Sequence, residues 1–296
     1  MSAALTLLYR GALVSCNYAC AYCPFAKRQE TRAEQERDRA QLERFVAWVE
    51  GQGAHRLSLL FTPWGEALVR PWYRAALARL SRLAHVERVA IQTNLSVDPR
   101  WTEAADLGTL ALWATFHPGQ TSRARFLARC RELDRRGVRY SVGIVGLREH
   151  LAEAEALRAE LDPGVYLWVN AYERDPDYYR PDEVQRLERL DPLFRLNLVR
   201  HPSRGLPCRA GHEALAVDRE GALRRCHFIP EVLGDLYAPG DLERALRLRA
   251  CTNETCGCYI GYLHLEPLDL YRVYAGGVLE RIPAEPVWRR ALPLAR

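Results

Sequence analysis

The feature that most constrains the fold is a regular alternation, up to about residue 190, of short apolar runs with amphipathic stretches. The apolar runs predict six strands, at residues 5–9, 56–61, 88–92, 110–116, 140–145 and 165–171. Apolar residues recurring at spacings of three and four predict helices near residues 33–50, 71–83, 123–136 and 149–160. Strands joined by helical crossovers are parallel, so the predicted fold class is α/β, a partial (β/α)6 TIM-like barrel. Functional residues are expected at the carboxyl ends of its strands.

This rhythm ends near residue 190, where prolines and short hairpin-like runs take over. Residues 214–217 and 222–226 predict a β-hairpin turning at 218–221. We therefore predict two units: a barrel over residues 1–190 and a small C-terminal β-hairpin/helix domain over residues 191–296.

Composition limits the classes of function. Among 296 residues, 48% are hydrophobic and 27% charged, which is typical of a globular chain, and no apolar run approaches the roughly 18 residues of a spanning helix. Without a signal peptide pattern at its start, the chain is expected to be cytoplasmic and to have no membrane partner. The 42 basic residues are interleaved with 37 acidic ones, so nucleic-acid binding is not expected.

Eight of the nine cysteines fall into two groups, which in a reducing compartment indicates metal ligation. Cys16, Cys20 and Cys23 follow the first strand. Three thiolates on one short loop suit three corners of a [4Fe-4S] cluster and leave one iron open. Zinc is the alternative, but a structural zinc ion takes four ligands and the next histidine is His55.

This first group resembles the Cys-x3-Cys-x2-Cys hallmark of the radical S-adenosylmethionine (radical SAM) superfamily. Tyr22 matches the aromatic residue that lies by the adenine in that family. Trp64, Gly65 and Glu66 fall in a segment that resembles the Gly-Gly-Glu-Pro motif, whose backbone and acid hold the methionine amino group. Trp64 replaces the first glycine, and Ala67 replaces the proline.

Two weaker motifs extend the resemblance to about residues 5–170. Thr93 and Asn94 resemble the Thr-Asn-Gly segment after the third strand, although a strand-end turn would have the same residues. Ile144, Gly146 and Glu149 fit a Gly-x-Ile-x-Gly-x-x-Glu pattern, with Val142 in place of the first glycine. In the family this element packs under the adenine.

The resemblance implies both cofactors and chemistry. A [4Fe-4S] cluster and S-adenosylmethionine would together yield a 5′-deoxyadenosyl radical that abstracts a substrate hydrogen. A flavodoxin- or ferredoxin-type protein would supply the electron. The protein's task would be to position these groups and exclude water.

The second group resembles the twitch and SPASM extensions, which bind an auxiliary [4Fe-4S] cluster. Its five candidate ligands are Cys208, Cys226, Cys251, Cys256 and Cys258. Five thiols are enough for one cluster, and which two of the last three are ligands stays open. His212, His227 and His264 could substitute, and a zinc knuckle is the alternative.

The predicted catalytic residues lie at strand ends. His117 could be a general acid or a ligand contact, or only a turn histidine bonded to backbone. Glu173 could be a base, or could pair with Arg174 at the surface. Cys130 lies on an amphipathic stretch, so we expect it in the core.

The leading hypothesis is a radical SAM enzyme that oxidises or crosslinks a small-molecule or peptide substrate. A radical cyclase or epimerase is an alternative within the superfamily. Outside that reaction class, the alternatives are a non-catalytic iron-sulfur or zinc protein and a radical RNA-modifying enzyme.

Overall fold

The computed structural model describes residues 3–26, 28–172 and 177–285. Its main sheet has nine strands in the order β10-β9-β8-β1-β2-β3-β4-β5-β6, and β1 to β6 are mutually parallel. This confirms the α/β class and the six predicted strands. They are β1 Ala3–Arg10, β2 His55–Phe61, β3 Val86–Thr93, β4 Leu110–Phe116, β5 Arg139–Val145 and β6 Leu167–Asn170.

Helices cross between these strands and cover one face of the sheet. The α-helices are Arg32–Glu50 (α1), Pro71–Ser81 (α2), Arg123–Arg136 (α3), Leu151–Glu160 (α4), Pro181–Leu190 (α5), Arg195–Leu198 (α6), Asp241–Ala245 (α7), Tyr259–Tyr262 (α8) and Leu270–Tyr274 (α9). Short 3-10 turns occupy Ala67–Val69, Pro99–Ala104, Arg148–His150, Glu266–Leu268 and Ala275–Gly277. The four predicted crossover helices are all present.

Alternation along the strands separates two cores. On β1, Leu7 and Tyr9 pack with the helices, whereas Leu8 points into the barrel. The helix side forms the larger core and includes Cys130, as expected. The barrel side is lined by aromatic residues and by residues of the C-terminal part of the chain.

The C-terminal hairpin continues the barrel sheet. Its strands are β8 Ala214–Asp218 and β9 Ala222–Arg224, and β10 Val232–Asp235 follows as the outer strand. β8 lies parallel to β1, with Thr6 opposite Ala214 and Arg10 opposite Asp218. One sheet therefore crosses the predicted boundary at residue 190, and the division into two domains stays a prediction. A second sheet joins β7 His201–Pro202 to β11 Thr255–Cys256.

The end of the described chain fills the interior of the barrel. The guanidinium of Arg281 is fully buried and lies 4.4 Å from the ring centre of Tyr259 and 4.7 Å from that of Trp168. Arg281 also donates to Asn197 Oδ1 at 3.2 Å. We call Arg281 and the side chains packed around it, Tyr259, Trp168 and Asn197, the plug of the barrel.

Within the described ranges, no helix has the length and apolarity needed to cross a membrane.

Candidate functional site

Between β1 and α1, the described residues 11–26 and 28–31 form a long loop that carries Cys16, Cys20 and Cys23; we call it the cysteine loop. Its end is tied to its start by Glu30, whose carboxylate accepts from the backbone N–H of Val14 at 2.6 Å and from Ser15 Oγ at 2.8 Å. Arg70 Nη2 donates to the same carboxylate at 3.0 Å. These contacts hold the two ends of the loop together.

The loop after β2 touches the cysteine loop at Gly65. A Cβ atom placed on Gly65 would lie 1.9 Å from the carbonyl oxygen of Ser15, far inside van der Waals contact. Only glycine permits this approach. The resemblance-based assignment of Gly65 thus coincides with a steric requirement on the same residue.

Next to Gly65, the side chain of Glu66 is buried and held in place by three donors. Thr93 Oγ1 donates to Oε1 at 2.9 Å, the backbone N–H of Asn94 donates to Oε2 at 2.5 Å, and the backbone N–H of Leu68 donates to Oε1 at 3.1 Å. Burial raises the pKa of Glu66 to about 7, although these donors act in the opposite direction. A carboxylate with this environment suits a cationic partner.

Asn94 links the end of β3 to the cysteine loop. Its Nδ2 donates to Asn17 Oδ1 at 3.0 Å and lies 3.7 Å from Cys16 Sγ. Asn17 Nδ2 in turn donates to Ser96 Oγ at 3.0 Å. Asn94 therefore contacts Glu66 through its backbone and the first cysteine through its side chain.

His117, just after β4, contacts the other side of the loop. Its Nδ1 lies 2.8 Å from Tyr22 Oη and 3.6 Å from Cys20 Sγ. Burial lowers the pKa of His117 to about 4, and His150 acts in the same direction, so the imidazole is neutral at pH 7. Nearby, Gln120 Oε1 accepts from the backbone N–H of Ala19 at 2.7 Å.

These contacts enclose a cavity of about 600 Å³ at the carboxyl ends of the strands. Of the residues predicted from sequence, its lining includes Cys16, Cys20, Cys23, Gly65, Glu66, Thr93, Asn94 and His117. Such a volume lies within the range of small-molecule and cofactor sites. Residues from four separate segments thus meet in one cavity.

Five other predicted residues do not line this cavity. Tyr22 lies behind His117, and Trp64 is partly exposed and stacks on Phe25. Ile144 packs in the core on the helix side, Gly146 is buried beside Tyr179, and Glu149 is exposed. Their roles toward a cofactor stay predictions. Glu173 lies outside the described residues.

The thiols share a local backbone arrangement. Cys16 Sγ accepts from the N–H of Tyr18 at 3.4 Å, and Cys23 Sγ accepts from that of Phe25 at 3.4 Å. Three thiols of the second group likewise accept a hydrogen bond from the backbone N–H of the residue two positions later in the chain. They are Cys208, Cys226 and Cys256. Such N–H donors favour the thiolate form that iron requires and tune cluster potentials.

In the second group, the five thiols act on one another electrostatically. Burial and then the neighbouring Cys208 and Cys251 raise the pKa of Cys226. Burial, Cys226, Cys258 and Cys251 raise the pKa of Cys256 to about 12. Cys258 is exposed, unlike the others. The donor chemistry of these thiols thus fits an iron-sulfur group, and which two of Cys251, Cys256 and Cys258 would be ligands stays open.

The three histidines near this group differ in their contacts. His264 is buried, its Nδ1 lies 2.9 Å from Tyr271 Oη, and its Nε2 has no hydrogen-bond partner. His227 Nε2 lies 3.0 Å from Thr62 Oγ1, and His212 lies 3.4 Å from a carboxylate oxygen of Glu213. Among the residues described, no three His, Cys, Asp or Glu side chains converge on a single ion position.

Several site residues were not found from the sequence. Glu30 and Arg70 shape the cysteine loop, and Thr115 lines the cavity. Thr115 could have been found, because it lies on the inward face of β4 near the strand end. Glu30 and Arg70 belong to no local pattern that would pair them.

No protein-family model matches the sequence, and no curated protein matches it. Solved structures do match. Native anSMEcpe with bound AdoMet and Kp18Cys peptide is 15% identical, with 83% of this chain and 81% of that chain covered and a TM-score of 0.56. Native anSMEcpe with bound AdoMet is also 15% identical, with 81% of this chain and 83% of that chain covered and a TM-score of 0.53. SuiB of Streptococcus suis is 13% identical, with 82% of this chain and 66% of that chain covered and a TM-score of 0.50.

Both anSMEcpe and SuiB are radical SAM enzymes. At these identities the likeness establishes architecture and not activity. The chain therefore has the fold of the radical S-adenosylmethionine enzymes.

Proposed function

We propose that the chain is a radical SAM enzyme. One observation carries the proposal: three thiols of the cysteine loop line the same cavity as the Glu66 carboxylate, which Thr93 and Asn94 hold in place. The thiols suit iron, and the carboxylate suits an ammonium group. A zinc site or a structural cluster would not need a buried carboxylate beside it.

In this proposal Cys16, Cys20 and Cys23 hold a [4Fe-4S] cluster. When bound, such a cluster supplies a one-electron donor and an open iron to which S-adenosylmethionine can bind. The N–H groups of Tyr18 and Phe25 stabilise the thiolates of Cys16 and Cys23. The clamp formed by Glu30 holds the loop, so that its shape does not depend on the cluster alone.

Glu66 binds the ammonium group of S-adenosylmethionine, and Asn94 lies beside it as a polar contact. The donors to Glu66 come from β3 and from the turn after β2, so the carboxylate is oriented before any ligand arrives. His117, neutral at pH 7, holds the hydroxyl of Tyr22 and closes the far side of the cavity.

The second group holds an auxiliary [4Fe-4S] cluster on Cys208, Cys226, Cys251 and Cys256. This assignment is supported by burial, because Cys258 is exposed whereas the other four thiols of the group are buried or partly buried. An auxiliary cluster gives the enzyme an electron acceptor, which suits oxidation or crosslinking of a substrate. Zinc in its place would serve only the structure.

The substrate is a small molecule or a peptide. A peptide accompanies anSMEcpe in one similar structure, which favours the peptide without excluding the metabolite. A flavodoxin- or ferredoxin-type protein supplies the electron.

Iron content and electron paramagnetic resonance of anaerobically reconstituted protein test this proposal. The wild type should hold about eight irons, and a Cys16→Ala, Cys20→Ala, Cys23→Ala variant about four, with the S-adenosylmethionine-sensitive signal lost. A Cys208→Ala, Cys226→Ala variant should keep that signal. Cys130→Ala is the matched control. This thiol lies in the core, so its removal should leave the iron content and the signal unchanged.

Two results would overturn parts of this proposal. An iron content unaffected by the first variant would exclude the cysteine loop as a cluster site. About four irons in the wild type and none in that variant would exclude an auxiliary cluster, and with it an internal electron acceptor.

A further inference from the structure

Arg10 is the last residue of β1, and its side chain occupies the inward face near the strand end. Leu8, two residues earlier, points into the barrel, and strand alternation gives Arg10 the same direction. The Nε of Arg10 donates to the backbone carbonyl of Thr62 at 3.1 Å, and the guanidinium carbon lies 5.2 Å from the centre of the Trp64 ring. The guanidinium is thus placed at the mouth of the barrel.

This cation has no carboxylate partner among the described residues. Asp218, opposite Arg10 on β8, instead forms an ion pair with Arg224 at 2.6 Å. Burial lowers the pKa of Arg10 to about 10, and only the nearby thiol of Cys258 acts against this. Among the described residues, no carboxylate therefore balances the charge of Arg10.

An aromatic pair connects Arg10 with the cavity. Trp64 stacks on Phe25 with ring centres 5.4 Å apart and an angle of 6° between the rings. Both side chains are exposed for residues of this size, Phe25 at 44% and Trp64 at 39%. Phe25 also lines the cavity that holds the cysteine loop thiols. An apolar ledge thus runs from the cavity to the cation.

We propose that Arg10 binds a carboxylate of the substrate, with Trp64 and Phe25 supporting the adjoining apolar part. The inference deepens the proposed function and rests on it for the word substrate. Within the described part of the chain, one of the five N–H groups of this guanidinium is in use, so it can still present a two-pronged donor face, and carboxylates match that geometry. The charge is desolvated on its aromatic side, which strengthens such a pair.

Benzoate and benzamide form a matched pair of probes, because they share an aromatic ring and differ in charge. Binding of each to the reconstituted protein is measured by ligand-observed NMR titration. We expect benzoate to bind wild type at least tenfold more tightly than benzamide. The variant Arg10→Met keeps the length and packing of the side chain and should remove this preference.

Two further variants test whether the preference depends on the guanidinium of Arg10. Arg10→Lys keeps the positive charge but loses the fork, so the preference should shrink without vanishing. Arg32→Met removes an arginine that is 91% exposed on α1, and it should leave the preference unchanged. Should Arg10→Met fail to fold, as judged by circular dichroism, Arg10→Lys decides the matter.

Equal binding of benzoate and benzamide by wild type would overturn the inference, as would a folded Arg10→Met or Arg10→Lys variant with the full preference. The same samples are assayed for 5′-deoxyadenosine. Benzoate preference that depends on Arg10, in a protein that never forms 5′-deoxyadenosine, would keep the carboxylate site and reject the radical function. Formation of 5′-deoxyadenosine without the preference would keep the radical function and reject the carboxylate site.

Discussion

At the residue scale, the site depends on the lack of a side chain at Gly65. Gly65 lets the loop after β2 rest on the carbonyl of Ser15, and an added Cβ would also come within 2.9 Å of Leu13 Cδ2. Neither obstacle is the free end of a flexible side chain, because one is backbone and the other is buried. Any larger residue must therefore displace the cysteine loop.

We expect Gly65→Ala to lower the free energy of unfolding by about 1–3 kcal/mol, because overpacking shifts backbone. Iron bound by the cysteine loop should fall in the same variant. Urea denaturation and iron analysis measure the two effects. Gly53→Ala is the control, since no atom lies within 4 Å of the Cβ position there. An unchanged iron content in Gly65→Ala would contradict the proposed contact.

Glu66 makes a second residue-scale prediction, on pH. Its carboxyl has a pKa of about 7 in the free protein because of burial, and an ammonium ligand requires the ionised form. Below pH 7, binding therefore releases a proton. The affinity for S-adenosylmethionine should rise as pH increases from 6 to 7, by up to about tenfold. Above pH 7 the α-amino group of the ligand begins to lose its own proton, so the rise ends there.

Equilibrium dialysis at pH 6, 6.5 and 7 measures this dependence. Glu66→Gln should bind weakly and with a flat profile over the same range, because the amide does not titrate. A flat profile in wild type would show that Glu66 is not the group that receives the ammonium.

At the element scale, the cysteine loop is shaped by interactions that no local pattern announces. The six strands could be predicted because period and punctuation are local properties, and the same holds for the hairpin of β8 and β9. The parallel pairing of β8 with β1 could not, since it joins residues some 200 positions apart. Glu30 and Arg70 were likewise missed because their pairing exists only in the fold.

The candidate site likewise has residues that the sequence predicted and residues that only the fold reveals. The spacing of Cys16, Cys20 and Cys23 indicated the cluster loop, and the motif around Glu66 indicated its carboxylate. Strand alternation decides the direction of Ile144, which shares the helix-side face with Val142. The choice among Cys251, Cys256 and Cys258 depends on tertiary contacts, so the sequence left it open.

The clamp on the loop gives the prediction at this scale. Glu30→Gln removes the charge that Val14, Ser15 and Arg70 share, and it should lower the free energy of unfolding by about 1–3 kcal/mol. Iron should also leave the first cluster faster under a chelator. Thermal unfolding and the rate of iron loss are the measurements.

Glu36→Gln is the control for this change, because Glu36 forms an exposed pair with Arg32 on α1. Such a pair contributes little to stability. Iron loss at the wild-type rate in Glu30→Gln would show that the clamp does not hold the cluster loop.

At the scale of the whole molecule, the C-terminal region is part of the barrel. It supplies three strands to the main sheet and the plug that contains Arg281. Asp191, whose pKa is raised by burial, is partly compensated by the charge of Arg281. The interior of the barrel and the end of the described chain should therefore unfold together.

We expect Arg281→Ala to lower the free energy of unfolding by about 3 kcal/mol, because it empties a buried site and leaves Asp191 without this cation. Urea denaturation followed by fluorescence and by circular dichroism measures the change. Arg272→Ala, at an exposed position that pairs with Asp269, should stay within about 0.5 kcal/mol of wild type. Equal midpoints for both variants would contradict a structural role for the plug.

The central claim is that this cavity cleaves S-adenosylmethionine. The most direct measurement is the amount of 5′-deoxyadenosine that reconstituted, dithionite-reduced protein forms from S-adenosylmethionine under strict exclusion of oxygen. The account predicts that wild type and Cys130→Ala form it and that the Cys16→Ala, Cys20→Ala, Cys23→Ala variant does not. Iron-loaded wild type that yields no more 5′-deoxyadenosine than this variant would contradict the account.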